Sequence, residues 1–265
     1  MDIDKEVMQQ LMYAILHELS RSKYTFVFKG ALVLSSLMEK AEINSPSRLS
    51  RDIDGDIQGY VSIEDVVVEL KRVFNKIGLN GVKIQKDARS TDTQYFFNIL
   101  DDTDVAIFNI DLGLKVNPWH TIYQLKNGTV IYGQTIAKIF WDKICVVSTP
   151  TVAERPWDIF DMYLLSLRKD LRMSEILAVR DGTGRQLGDF QEFLYPSDRL
   201  KSRWKRRRYI KERPDFNVMF VRVRDLCTPF IVGGASLAVW DPAEGLWYEG
   251  ESNTDPSPTY HTIPS

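Results

Sequence analysis

Between residues 52 and 57 the chain reads Asp-Ile-Asp-Gly-Asp-Ile, with an acid at every second position. Alternate side chains of a strand share a face, so Asp52, Asp54 and Asp56 are expected to project one way and Ile53 and Ile57 the other. Carboxylates held that close repel one another unless a cation sits between them, and Mg²⁺ is the natural occupant of such an oxygen-rich site. Taken alone, the same pattern also describes an edge strand whose charges discourage aggregation. The neighbouring segments bear on that choice.

Upstream, Tyr24 to Phe28 reads as a short buried strand, followed by Lys29-Gly30-Ala31 and an apolar helix from Leu32 to Met38. A strand, a glycine turn and a helix start place backbone N–H groups where a phosphate can meet them, although Gly30 also suits an ordinary turn. Downstream, Val105 to Leu112 is an apolar run in which a single acid, Asp111, arrives near the end of a buried strand. An unpaired carboxylate there would cost several kcal/mol or shift its pKa until it neutralised, and a shared metal would relieve it. Residues 3–19 have helical apolar spacing, and Ser62 with Glu64 and Asp65 opens a further helix that Gly78 closes. Strand-like segments follow at Val82 to Gln85 and Gln94 to Leu100, and Asp101, Asp102 and Asp104 read as a solvated turn. The expected fold class is α/β (mixed α+β), a mixed sheet flanked by helices.

After Asn127-Gly128 the character changes to helices at Thr135 to Val147, Pro156 to Leu171 and Asp215 to Ile231. We therefore expect an α/β domain over residues 1–134, a mostly helical domain over 135–232, and a Gly-, Pro- and Ser-rich tail over 233–265. At 265 residues with 44% hydrophobic side chains, the chain can bury one large core or two modest ones. It has no apolar run of about 18 residues and a polar N-terminus, so neither a membrane span nor a signal peptide is expected. Two cysteines in apolar surroundings, Cys145 and Cys227, suit a reducing cytoplasm and argue against zinc. The net charge of −2 hides an uneven distribution, with acids concentrated before residue 112 and a basic run from Lys201 to Lys211. Lys201, Arg203, Arg206, Arg207 and Arg208, interleaved with Trp204 and Tyr209, would suit single-stranded RNA. A solvated helix face with its aromatics turned inward fits that run equally well.

The ordered set Lys29-Gly30-Ala31, Arg48-x-Ser50-x-Asp52-Ile53-Asp54, Ile110-Asp111, Asp142-Lys143-Ile144 and Arg155-x-x-Asp158-x-x-Asp161-x-Tyr163 resembles the AbiEii/AbiGii-type nucleotidyltransferase toxins. That family lies in the polymerase-beta-like nucleotidyltransferase superfamily, and the resemblance spans roughly residues 24–165, with a looser echo up to about Ile231. It implies Mg²⁺ or Mn²⁺ on Asp52, Asp54 and Asp111, and nucleotide contacts from Lys29, Gly30, Arg48, Ser50 and Arg155. It further implies Lys143 on the triphosphate, oriented by Asp158. The implied reaction moves a nucleotide from an NTP to an RNA, such as a tRNA 3′ end, in a toxin–antitoxin or phage abortive-infection system with a cognate antitoxin. An NTP-binding regulator and a kinase-like phosphoryl transferase are the alternatives. The chain departs from the family pattern after Gly30, where Ala31 and Leu32 replace the usual hydroxyl residue. On the residues alone, Lys143 and Asp158 read as a surface pair worth at most about 1 kcal/mol, with Lys138 as the alternative lysine.

Overall fold

The structure is a computed structural model that describes residues 5–43, 47–48, 50–206, 210–211, 213–233 and 237–249. The chain divides into two compact units, whose described residues fall within Met1–Lys40 and Leu49–Gln134 for the first and within Ala41–Arg48 and Thr135–Thr259 for the second. Arg207, Arg208 and Tyr209 of the basic run lie outside the described residues.

In the first unit, α1 (Lys5–Ser20), β1 (Phe26–Lys29) and α2 (Gly30–Lys40) come first. The chain returns from β2 (Ser47–Arg48), a strand of the second unit, to β3 (Asp52–Ile57), α3 (Ile63–Lys76), β4 (Lys83–Lys86) and β5 (Gln94–Leu100). β6 (Ala106–Leu114), β7 (His120–Gln124) and β8 (Val130–Gln134) complete a seven-stranded mixed sheet in the order β4-β5-β6-β3-β1-β8-β7. The pairs β1–β8 and β3–β6 are parallel and the other neighbours antiparallel.

Period-2 patterning decides the faces. Ile53, Ile57, Phe108, Ile110, Leu112, Tyr95, Phe97 and Ile99 are all buried, so a one-residue slip of β3 would turn its isoleucines out and its acids into the core. Helix α3 supplies Val66, Leu70, Val73 and Phe74 at helical spacing, with Phe74 edge-on to Phe108 at 6.0 Å. Its start is fixed by Ser62, whose side chain accepts from the Asp65 N–H, and by Glu64 and Asp65 at the positive end of the helix.

The second unit is largely helical: α4 (Ile136–Val147), a 3₁₀ turn at Pro150–Glu154, α5 (Pro156–Ser166), α6 (Met173–Thr183), α7 (Gln191–Leu194), α8 (Asp198–Lys205) and α9 (Phe216–Val232). Between α8 and α9 lies β9 (Ile210–Lys211), which pairs with β2. Pro156 sits in the first turn of α5, where a missing N–H costs nothing, and that helix stops at Ser166, short of the expected Leu171. Pro229 lies inside α9 without ending it.

The stretch from 233, expected as tail, holds a hairpin instead: β10 (Ala238–Asp241) pairs with β11 (Leu246–Glu249). Its two tryptophans explain its place. The Trp240 indole N–H donates to the Ser166 carbonyl at 2.7 Å, and that of Trp247 to the Leu226 carbonyl at 3.0 Å. Among the described residues, no helix is long and apolar enough to cross a membrane.

Candidate active site

The site begins with strand register. Lys29 on β1 is opposite Asp54 on β3, and Asp54 is opposite Asp111 on β6. One step along, Asp52 is opposite Asn109. Register partners project to the same face, so Lys29, Asp54 and Asp111 form a row across the sheet with Asp52 beside it.

The carboxylates differ in their surroundings. Asp52 is exposed and accepts from the Asn109 amide at 3.0 Å, while Asp111 is half-buried and accepts from the Gln94 amide at 2.8 Å. Asp56 is fully buried, and three groups hold it: Lys29 Nζ at 2.8 Å, the Asn117 amide at 2.9 Å and Lys115 Nζ at 3.7 Å. Lys29 was expected to meet phosphate, yet its ammonium is taken up by Asp56. Burial works to lower the Lys29 pKa, but Asp56, with Asp111 and Asp54 further off, outweighs it and raises the value.

Gly30 has φ of +74° and is the first residue of α2. A Cβ at this position would collide with Oδ2 of Asp54. The glycine is therefore needed twice, for its left-handed backbone and for the space that lets the Asp54 carboxylate lie against the turn. Ser50, two residues ahead of Asp52, donates its hydroxyl to the Asp52 carbonyl at 3.2 Å. Arg48 is placed by its backbone alone, paired with Ile210 in the second unit; its side chain lies outside the described residues.

The remaining expected residues gather in the second unit. Lys143 Nζ lies 2.8 Å from Asp158 Oδ1 and 2.6 Å from Asp161 Oδ2, and Arg155 Nε lies 2.6 Å from the other oxygen of Asp158. Both carboxylates are buried, so this is an interior network and not the surface pair that the residues alone suggested. Burial opposes the charge on each member, but the partners win: the Lys143 pKa is raised and that of Asp158 lowered. Asp161 is the member that sequence reasoning left out of the site, although the three-residue step from Arg155 to Asp158 to Asp161 places all three near one helix face. Lys138, the alternative lysine, is paired with Asp142 one turn along α4, and Asp142 also accepts from Arg185 at 3.0 Å.

The basic run resolves differently from the RNA-stacking expectation at one residue. Trp204 is buried against Phe160 at 5.7 Å and donates to the Pro214 carbonyl, so its ring faces the core. Arg199, Ser202, Arg203 and Arg206 instead line an open cavity of about 490 Å³.

Whether the acidic row suits a divalent cation is a question of donors and space. Asp52, Asp54 and Asp111 offer hard oxygen donors from adjacent strands in register, and the Asp54 carboxylate lies against the Gly30 turn. Among the described residues no three His, Cys, Asp or Glu side chains are gathered tightly enough to hold a metal as they stand. Asp52 and Asp111 each accept from a neutral amide, that of Asn109 and that of Gln94. The donor set thus fits Mg²⁺ in type and register.

The family profile described as nucleotidyl transferase AbiEii toxin, type IV TA system, matches residues 10–217. The chain belongs to the AbiEii nucleotidyltransferase toxin family. AbiEii membership makes it a nucleotide-transferring enzyme and the toxin of a type IV toxin–antitoxin system, to which a cognate antitoxin belongs. The match extends beyond the 24–165 spanned by the motifs. No curated protein matches the chain. Two crystal structures from Helicobacter pylori share the AbiEii chain's fold. A provisionally assigned nucleotidyltransferase is 15% identical with a TM-score of 0.55, covering 87% of this chain and 96% of that one. The protein JHP933 is 14% identical with a TM-score of 0.54, covering 86% and 91%.

Proposed function

We propose that this AbiEii-family toxin transfers the nucleotidyl group of an NTP to an RNA acceptor in a divalent-metal-dependent reaction. The observation that carries the reading is the register pairing of Asp54 with Asp111, set against the Gly30 turn at the start of α2. Asp52, Asp54 and Asp111 would hold Mg²⁺ or Mn²⁺, which when bound lowers the pKa of an attacking hydroxyl and neutralises the triphosphate. The turn after β1 presents backbone at a helix start to phosphate, in place of the hydroxyl that Ala31 and Leu32 lack. In the second unit, Asp158 and Asp161 hold Lys143 charged inside the helical network. Arg155 is 55% exposed at its side chain and keeps one bond to Asp158, which makes it the more accessible cation of that group.

If Asp54 depends on the missing Cβ of Gly30, Gly30→Ala lowers the transfer rate on the order of 100-fold, the effect of about 1 Å of misplacement. Steady-state kinetics beside a melting curve checks this, because the accompanying strain costs only about 1–2 kcal/mol.

For the acceptor, Arg203 and Arg206 line a cavity with Arg199, and they would meet phosphates without help from Trp204. Arg203→Ala with Arg206→Ala is expected to flatten the salt dependence of RNA binding by roughly 0.7 in log–log slope for each lost contact on a single strand. An unchanged slope would remove this face from the acceptor site.

The test of the function is incubation of the protein with Mg²⁺, total tRNA and each NTP labelled at either the α- or the γ-phosphate. Attachment of α-label to RNA is the expected result. Transfer of γ-label would mean phosphoryl transfer on the same site, and binding without transfer of either label would mean a nucleotide-binding regulator.

A further inference from the structure

The row that carries Asp54 and Asp111 continues one strand further. Phe96 on β5 is the register partner of Asp111, so its ring shares that face of the sheet with the carboxylate. The face is otherwise polar here, with Gln94 and Asn98 on either side of a half-buried Phe96, while Tyr95, Phe97 and Ile99 are turned to the core. Arg89 covers the ring, its guanidinium carbon 4.7 Å from the ring centroid. Asp87 holds that guanidinium by a fork, accepting from Nε and Nη2 at 3.0 Å each, and it also accepts from the Arg89 backbone N–H at 2.9 Å. The fork pulls the Asp87 pKa down to about 2. The Asp87 N–H in turn donates to the Phe96 carbonyl at 2.9 Å, so the arginine, its fork and the ring are tied together. The Arg89 side chain is nonetheless 67% exposed, which leaves a fixed guanidinium open beside the acidic row.

We propose that Arg89, backed by Phe96 and held by Asp87, is a platform on which a nucleobase stacks beside the Asp54–Asp111 row. A guanidinium is planar and bases stack on it, and one already fixed by a fork loses little freedom when they do. From the platform, the phosphates of the same nucleotide have one to two strand spacings, about 5–10 Å, to cross to the acids. The inference rests on the reading that the acidic row is the transfer site. The base can come from the incoming NTP or from the acceptor, and the two sources are separated by the ligand titrated.

The test is calorimetric titration of the full chain in Mg²⁺ with each NTP, with inorganic tripolyphosphate as a probe that lacks a base, and with a single-stranded RNA oligonucleotide. Arg89→Lys keeps the charge and loses the planar fork, while Phe96→Leu keeps an apolar side chain and loses the ring. Each is expected to weaken NTP binding about tenfold, the effect of one lost stack, and to leave tripolyphosphate within twofold of wild type. A loss confined to the RNA supports the platform equally and gives it to the acceptor base. An equal loss for tripolyphosphate would make Arg89 a phosphate contact and overturn the proposal. Melting curves expose a merely structural role, in which both variants lower the Tm while the folded protein binds NTP and RNA as wild type does, and that result overturns it too. If wild type itself binds neither NTP nor RNA, the transferase reading fails and takes this inference with it. If wild type binds and both variants match it, only the platform fails.

Discussion

Lys143→Met is expected to be among the most destabilising single substitutions in this protein, at about 3–5 kcal/mol. The lysine is paired at 2.8 and 2.6 Å with Asp158 and Asp161, whose side chains are 5% and 0% exposed. Methionine fills much of the same volume but leaves two interior carboxylates without their shared cation, and one of them, Asp158, keeps only Arg155. For a chain of this size the loss corresponds to a fall in Tm on the order of 10 °C. The triple variant Lys143→Met, Asp158→Asn, Asp161→Asn should recover most of it, since no buried charge is then left over. Sign and pH window follow from the two shifts. The raised Lys143 pKa means its contribution is complete below the unfolded value of about 10.4 and is lost as pH rises through the higher folded value. The lowered Asp158 pKa means its contribution is complete above about 3.9 and is lost as pH falls through the lower folded value. The gap in Tm between wild type and Lys143→Met should therefore be largest from neutral pH to about pH 10 and shrink on acidification, beginning above pH 4, because the carboxylates left without their cation take up protons more readily than in wild type. A gap of only a degree or two across the window would show that the network is solvated.

Much of the candidate site was legible because β3 states its period so plainly. With acids at 52, 54 and 56 and isoleucines at 53 and 57, only a strand with one apolar face satisfies the pattern, and Asp111 among apolar neighbours marks a second strand of the same kind. What the sequence could not separate was Asp56 from Asp54. The two are alike in type and phase, and the difference comes from Asn117 and Gly113, residues about 60 positions away that are brought near by the parallel pairing of β3 with β6. The pairing of Lys29 with Asp56 was hidden for the same reason, being visible only through strand pairing. The hairpin β10–β11 was hidden in another way, and Trp204 was left between two readings. Basic residues around Trp204 masked an inward-facing ring, and strands of four residues are too short for alternation to stand out against Pro242 and Gly245 in their turn. In hindsight the turn had a signal. The Asp241 carboxylate accepts from the N–H groups of Ala243 and Glu244, and Gly245 takes φ of +72°.

The role of the acidic row as the catalytic metal site is the claim on which the functional account turns, and Asp54→Asn and Asp111→Asn address it most directly. Each substitution keeps the shape of the side chain and the sheet face it occupies, while removing the charge that would hold the cation. Neither residue belongs to the apolar core, so far-UV circular dichroism and melting should stay close to wild type, and relief of repulsion between register partners can raise the Tm slightly. The measurement is the single-turnover rate of α-labelled nucleotide transfer to RNA at saturating Mg²⁺, with each variant compared to wild type at equal folded concentration. The account predicts a loss of about 100- to 1,000-fold in both variants, in line with removal of a group that stabilises developing charge. Transfer within a few-fold of wild type in either folded variant would contradict it.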